Sequence, residues 1–80
     1  MANRKVMLKY PEQLIQEPVL FRMAKQFEVM PNIRRARVTD TVGEIALELE
    51  GSAENLERGI QYLKAQGVVV EPLEGDVLSP

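Results

Sequence analysis

Eighty residues with a net charge of −2 and a sequence pI ≈ 5.1 allow one domain, and a chain of this size buries only about 60 to 65 per cent of its unfolded surface, so self-association is expected. The absence of cysteine and histidine excludes disulfides, thiolate nucleophiles, soft-metal sites and the usual general base. The small negative charge offers no field for nucleic acid or an anionic membrane.

The N-terminal stretch MANRKVMLKY has too few apolar residues for a signal peptide or a membrane span. With the lack of cysteine this sets the expected localisation as cytoplasmic. In residues 4–10, Val6, Leu8 and Tyr10 alternate with Lys5, Met7 and Lys9, which predicts a strand with a basic solvent face, ended by Pro11. The loop that follows holds Leu14 and Ile15, which need cover from the domain or from another copy. Pro18 suits the first turn of a helix and Glu17 its positive end. Val19, Leu20, Met23, Ala24 and Phe27 recur at helical spacing and form one apolar stripe.

Residues 29–50 predict a hairpin. On its second strand Ile45, Leu47 and Leu49 alternate with Glu44, Ala46, Glu48 and Glu50, the period of a sheet with one buried and one wet face. Its first strand carries Arg34, Arg35 and Arg37, more simply cross-strand partners and edge protection than anion ligands. Gly43 is the expected residue of positive φ in the turn. Ser52 is the expected N-cap of a second helix, with Glu54 and Arg58 paired at i,i+4 and Leu56, Ile60 and Leu63 buried. Gly59 is expected to let this helix approach the sheet closely, and Gly67 to end it in the left-handed conformation. Residues 68–73, VVVEPL, are the last strand.

The order strand, helix, strand, strand, helix, strand predicts an α+β, ferredoxin-like (ACT-like) βαββαβ sandwich: a four-stranded antiparallel sheet in the order 4-1-3-2, both helices on one face. Residues 1–40 carry eight Lys or Arg against four acids, and residues 41–80 carry two against eight. In this topology the two basic strands flank the acidic one, so Lys5, Lys9, Glu44, Glu48 and Arg35 or Arg37 become cross-strand neighbours of opposite sign.

The blocks EP at 17–18, FEV at 27–29, PNIRRARV, GEIALELEG and YLKAQGVVVEPL resemble the NIL domain over about residues 4–73. Asn32 and Ile33 match the Asn-Ile-Leu signature, and Arg34 stands in place of its leucine. The resemblance implies the same βαββαβ fold, a regulatory role in the ATPase subunits of bacterial methionine importers, L-methionine as ligand and pairing of two domains. Carried over by position, it sets the candidate ligand-binding residues as Asn32, Ile33 and Arg34, with the strand around Ile33 as the wall of the site. Asn32 also has a plain reading, since an Asx residue after Pro31 often bonds the backbone where a strand begins. One NIL-type domain is expected over 1–80, with an ordered core over about 4–73 and a flexible tail over 74–80.

The resulting expectation is a non-enzymatic regulatory module, a homodimer that holds an amino acid between two copies, with no cofactor, no metal, no nucleic acid and no membrane. The alternative is an adaptor whose partner is another protein, with no small-molecule ligand. A more remote alternative resembles the acylphosphatases, which share the sandwich; Arg22 and Asn32 stand in roughly the places of their arginine and asparagine. Residues 11–18 have no glycine and two glutamates, a poor cradle for phosphate. RNA binding by the same sandwich needs aromatic residues on the central strands, and only Tyr10 is offered.

Overall fold

The computed structural model describes residues 1–73, and the tail expected over 74–80 lies outside them. The strands are β1 (Ala2–Tyr10), β2 (Met30–Val38), β3 (Gly43–Gly51) and β4 (Val69–Pro72), and the helices are α1 (Val19–Phe27) and α2 (Ala53–Gln66). A short 3-10 turn at Glu12–Leu14 lies between β1 and α1. The sheet order is β2-β3-β1-β4 with every pairing antiparallel. This is the ferredoxin-like sandwich, with the acidic β3 between basic β1 and basic β2.

The alternation in β1 and β3 decides which face is covered. Val6 lies opposite Leu47 and Leu8 opposite Ile45, and these side chains join Val19 and Met23 of α1 and Leu56, Ile60 and Leu63 of α2 in one core. Burying a side chain such as Leu47 or Leu49 contributes about 1.5–3 kcal/mol. The alternate residues, Lys5, Met7 and Lys9 with Glu44, Ala46 and Glu48, form the open face, free of helices. Their register pairs Lys5 with Glu48 and Lys9 with Glu44.

Helix ends follow the expected chemistry with one addition. Ser52 Oγ accepts from the Asn55 amide at 3.0 Å, and Gly67 closes α2 at φ 104. Pro18 immediately precedes α1 rather than lying in it, and its carbonyl accepts from the Arg22 amide at 3.0 Å. The addition is Glu28, which ends α1 in the left-handed region at φ 56 and turns the chain straight into β2.

Two glycine expectations are corrected. Gly43 does not have positive φ; it is the first residue of β3, and a Cβ there would lie 3.1 Å from Tyr10 Cβ and 3.2 Å from Ile15 Cγ1. The turn is held instead by Thr39, whose Oγ1 accepts from the Thr41 and Val42 amides at 3.2 and 2.9 Å. Gly59 admits close approach of α1 rather than of the sheet, since a Cβ there would lie 2.7 Å from Met23 Sδ.

Candidate ligand site on the open sheet face

β2 is an edge strand whose register is broken between Ile33 and Arg35. Before the break Asn32 lies opposite Glu48 and Ile33 opposite Leu47; after it Arg35 lies opposite Ala46 and Arg37 opposite Glu44. Arg34 is the extra residue of this bulge, a device that re-aims a side chain. Its guanidinium donates from Nη2 to Glu48 Oε1 at 3.1 Å.

The bulge thus gathers Asn32, Arg34 and Glu48 on the open face. Glu48 is 9 % exposed, whereas the Arg34 side chain is half exposed. A partly desolvated carboxylate beside a guanidinium and an amide has an acceptor, a fork of donors and a group that does both. Together they match the ammonium and the carboxylate of a free amino acid.

Ile33 is not gathered there. Its register partner Leu47 is in the core, so its side chain leaves the strand on the helix side, where it remains 52 % exposed. Of the three candidate residues, the open face holds Asn32 and Arg34 but not Ile33. The sequence-derived site omits Glu48, although the alternation of β3 puts it on the open face. The missing signal is the bulge, which brings an arginine to it.

Two hollows flank β2. One, of ≈ 270 Å³, lies on the open face over Ala46, bordered by Met7, Arg35, Arg37 and Glu44. The other, of ≈ 160 Å³, lies between the start of α1 and the hairpin and is lined mainly by Tyr10, Ile15, Phe21, Val38 and Ile45. Arg22, the arginine considered for phosphate, holds Glu17 at 3.4 Å. Among the described residues no group of three or more acids, histidines or cysteines is placed to hold a metal ion. No helix among them is long and apolar enough to cross a membrane.

A model of the NIL domain matches residues 4–72. The chain belongs to the NIL domain family. This NIL domain is 34% identical over 62 residues to methionine import ATP-binding protein MetN 1 of Listeria monocytogenes serotype 4b, covering 72% of the chain and 18% of that protein. It is 30% identical over 59 residues to the MetN 1 protein of Bacillus cereus, covering 69% of the chain and 17% of the relative. The NIL domain therefore spans less than a fifth of the curated relatives it matches. Its fold is similar to the C-terminal domain of an ABC transporter ATP-binding protein from Enterococcus faecalis, with a TM-score of 0.80 at 20% identity over 90% of this chain and 84% of the other.

Proposed function

We propose that this NIL domain is a non-enzymatic regulatory module of the cytoplasm that binds a small ligand, an amino acid such as L-methionine, where two copies meet in a homodimer. The observation that carries the proposal is the meeting of Asn32, Arg34 and Glu48 on the open face. Glu48 accepts from the ligand ammonium, Arg34 donates to its carboxylate and the Asn32 amide bridges the two. Ile33, on the other side of β2, belongs to the boundary between copies. Relatives whose names state methionine import support methionine as the first ligand to try.

The mechanism is linkage. A ligand that binds one dimer geometry more tightly than the alternatives shifts the population toward it, and a partner reads that geometry. Isothermal titration with L-methionine and a panel of other amino acids tests the reading. The expected result is saturable heat with at least one of them, a rise in melting temperature at excess ligand, and binding about tenfold weaker or worse in Asn32→Ala. No heat with any amino acid would contradict it.

A second reading, an adaptor for another protein without a small ligand, is favoured by a separate observation. Phe21 and Val38 are 65 % and 58 % exposed beside the smaller hollow, and Ile33 is half exposed on the same side of β2. Exposed apolar side chains around a hollow suit a protein contact.

A further inference from the structure

In a two-layer sandwich the helices cover one face of the sheet, and here they leave β2 bare. No residue of β2 is buried, and the core draws its buried strand residues from β1 and β3. Val38 lies opposite Gly43 and Ile33 opposite Leu47, so both leave the strand on the helix side, where they are exposed. Phe21, in the first turn of α1, is exposed as well. Phe21 and Val38 line one hollow of ≈ 160 Å³ together with Tyr10, Ile15 and Ile45. Apolar side chains gathered around one hollow mark a contact surface, unlike the scattered exposure that any surface shows.

The charge beside this hollow has one sign. A larger hollow of ≈ 660 Å³ shares Ile15, Glu17 and Val38 with it and is lined further by Glu12, Thr39 and Asp40. None of the residues that line either hollow is Lys or Arg. The Glu12 and Asp40 carboxylates have no hydrogen-bond or ion-pair partner among the described residues. Glu17 meets Arg22 at 3.4 Å, a half-exposed contact of small worth that leaves the carboxylate able to take a second cation. Arg22 and Lys25 line a different hollow, with Tyr62.

We infer that the surface between the start of α1 and the end of β2 docks a segment of another protein in which a large apolar residue is flanked by Lys or Arg. This rests on the adaptor reading above and deepens it by naming the chemistry of the partner. The apolar residue enters the smaller hollow, and the cations beside it reach Glu12, Glu17 and Asp40. A hollow of ≈ 160 Å³ is below the roughly 300 Å³ at which pockets for whole small molecules begin, so its size suits one anchoring side chain. The polar hollow next to it gives long basic side chains room and opposite charge.

The same charges decide against other occupants. An anionic membrane, a nucleic acid or an acidic segment would meet three carboxylates. The basic apolar stretches of this chain, RKVMLKY and NIRRARV, are strands of its own sheet, so the segment comes from elsewhere. The surface lies on the helix side of the sheet, away from Asn32 and Glu48 on the open face, and the two can be occupied together.

Selection of a random-peptide phage library on the wild-type protein, followed by titration of the enriched peptides into labelled protein, tests the inference. The enriched peptides are expected to share a large apolar residue with Lys or Arg within a few positions. Their largest amide shifts are expected at Tyr10, Phe21, Val38 and Gly43, with affinity that falls as salt is raised. Val38, Glu12 and Asp40 are exposed, so substitutions there keep the fold, which melting curves verify. Val38→Asp, and Glu12→Lys combined with Asp40→Lys, are each expected to weaken binding about tenfold or more, whereas Val38→Ile retains it. No enrichment of any peptide would remove the adaptor reading and this site with it. Enriched peptides that are acidic, that shift residues elsewhere, or that bind the Val38→Asp and doubly charge-reversed variants unchanged would overturn this site and leave the adaptor reading standing.

Discussion

Arg34 Nη2 donates to Glu48 Oε1 at 3.1 Å from a position that has no register partner of its own. The bulge that displaces Arg34 from the ladder is what lets it reach a carboxylate only 9 % exposed. Removing the guanidinium leaves that carboxylate without its donor, so Arg34→Ala is expected to lower stability by about 1 kcal/mol, with the half-exposed arginine keeping the figure below that of a fully buried pair. Urea denaturation measures it. A double-mutant cycle with Glu48→Ala checks that the loss belongs to the pair, and a coupling near zero would show that it does not.

Gly43 is required for space rather than for backbone conformation. A Cβ there would press on Tyr10 and Ile15, so Gly43→Ala is expected to cost about 1–3 kcal/mol by overpacking, and Gly43→Asn more. A left-handed position would rank them the other way, because asparagine tolerates positive φ better than alanine. Thermal melts of the two variants decide the order.

Gly59 lies mid-helix, where alanine is the better helix former by about 1 kcal/mol. Its Cβ would nevertheless stand 2.7 Å from Met23 Sδ, and Met23 is fully buried. Gly59→Ala is therefore expected to lower the melting temperature, and to cost less when it is made in a Met23→Ala background, where the sulfur it would press on is gone. A higher melting temperature for Gly59→Ala alone would mean that α1 and α2 are packed less closely.

Burial raises the pKa of the Tyr10 phenol above its ordinary value. The folded state holds this proton more tightly than the unfolded chain, so the contribution is fully present below about pH 10 and is lost as the pH rises through the folded value. Urea midpoints followed from pH 8 to 11 are expected to fall more steeply for the wild type than for Tyr10→Phe. Parallel curves would contradict the sign.

Most of the fold was legible because its period is local. The alternation of β1 and β3, the stripe of α1 and the Ser52 cap each announce themselves within a few residues. What was not legible depends on contacts between distant segments. Gly43 reads as a turn glycine until Tyr10 and Ile15 are seen against it, and Gly59 faces Met23 only once α1 is placed. Glu28 in the left-handed region has no local sign, since a glutamate rarely stands there. Of the candidate site, Asn32 and Arg34 stand out in β2 from the residues alone, but Ile33 leaves on the other side of the strand, and Glu48 meets Arg34 only through the bulge.

Binding of an amino acid by Asn32, Arg34 and Glu48 would mark the backbone around them. The most direct measurement is an amide chemical-shift titration of the labelled protein with L-methionine. The largest shifts are expected on residues 32–35 and 47–49, saturating together and abolished in Asn32→Ala. Shifts confined to Phe21, Val38 and the smaller hollow, or none at saturating methionine, would contradict it.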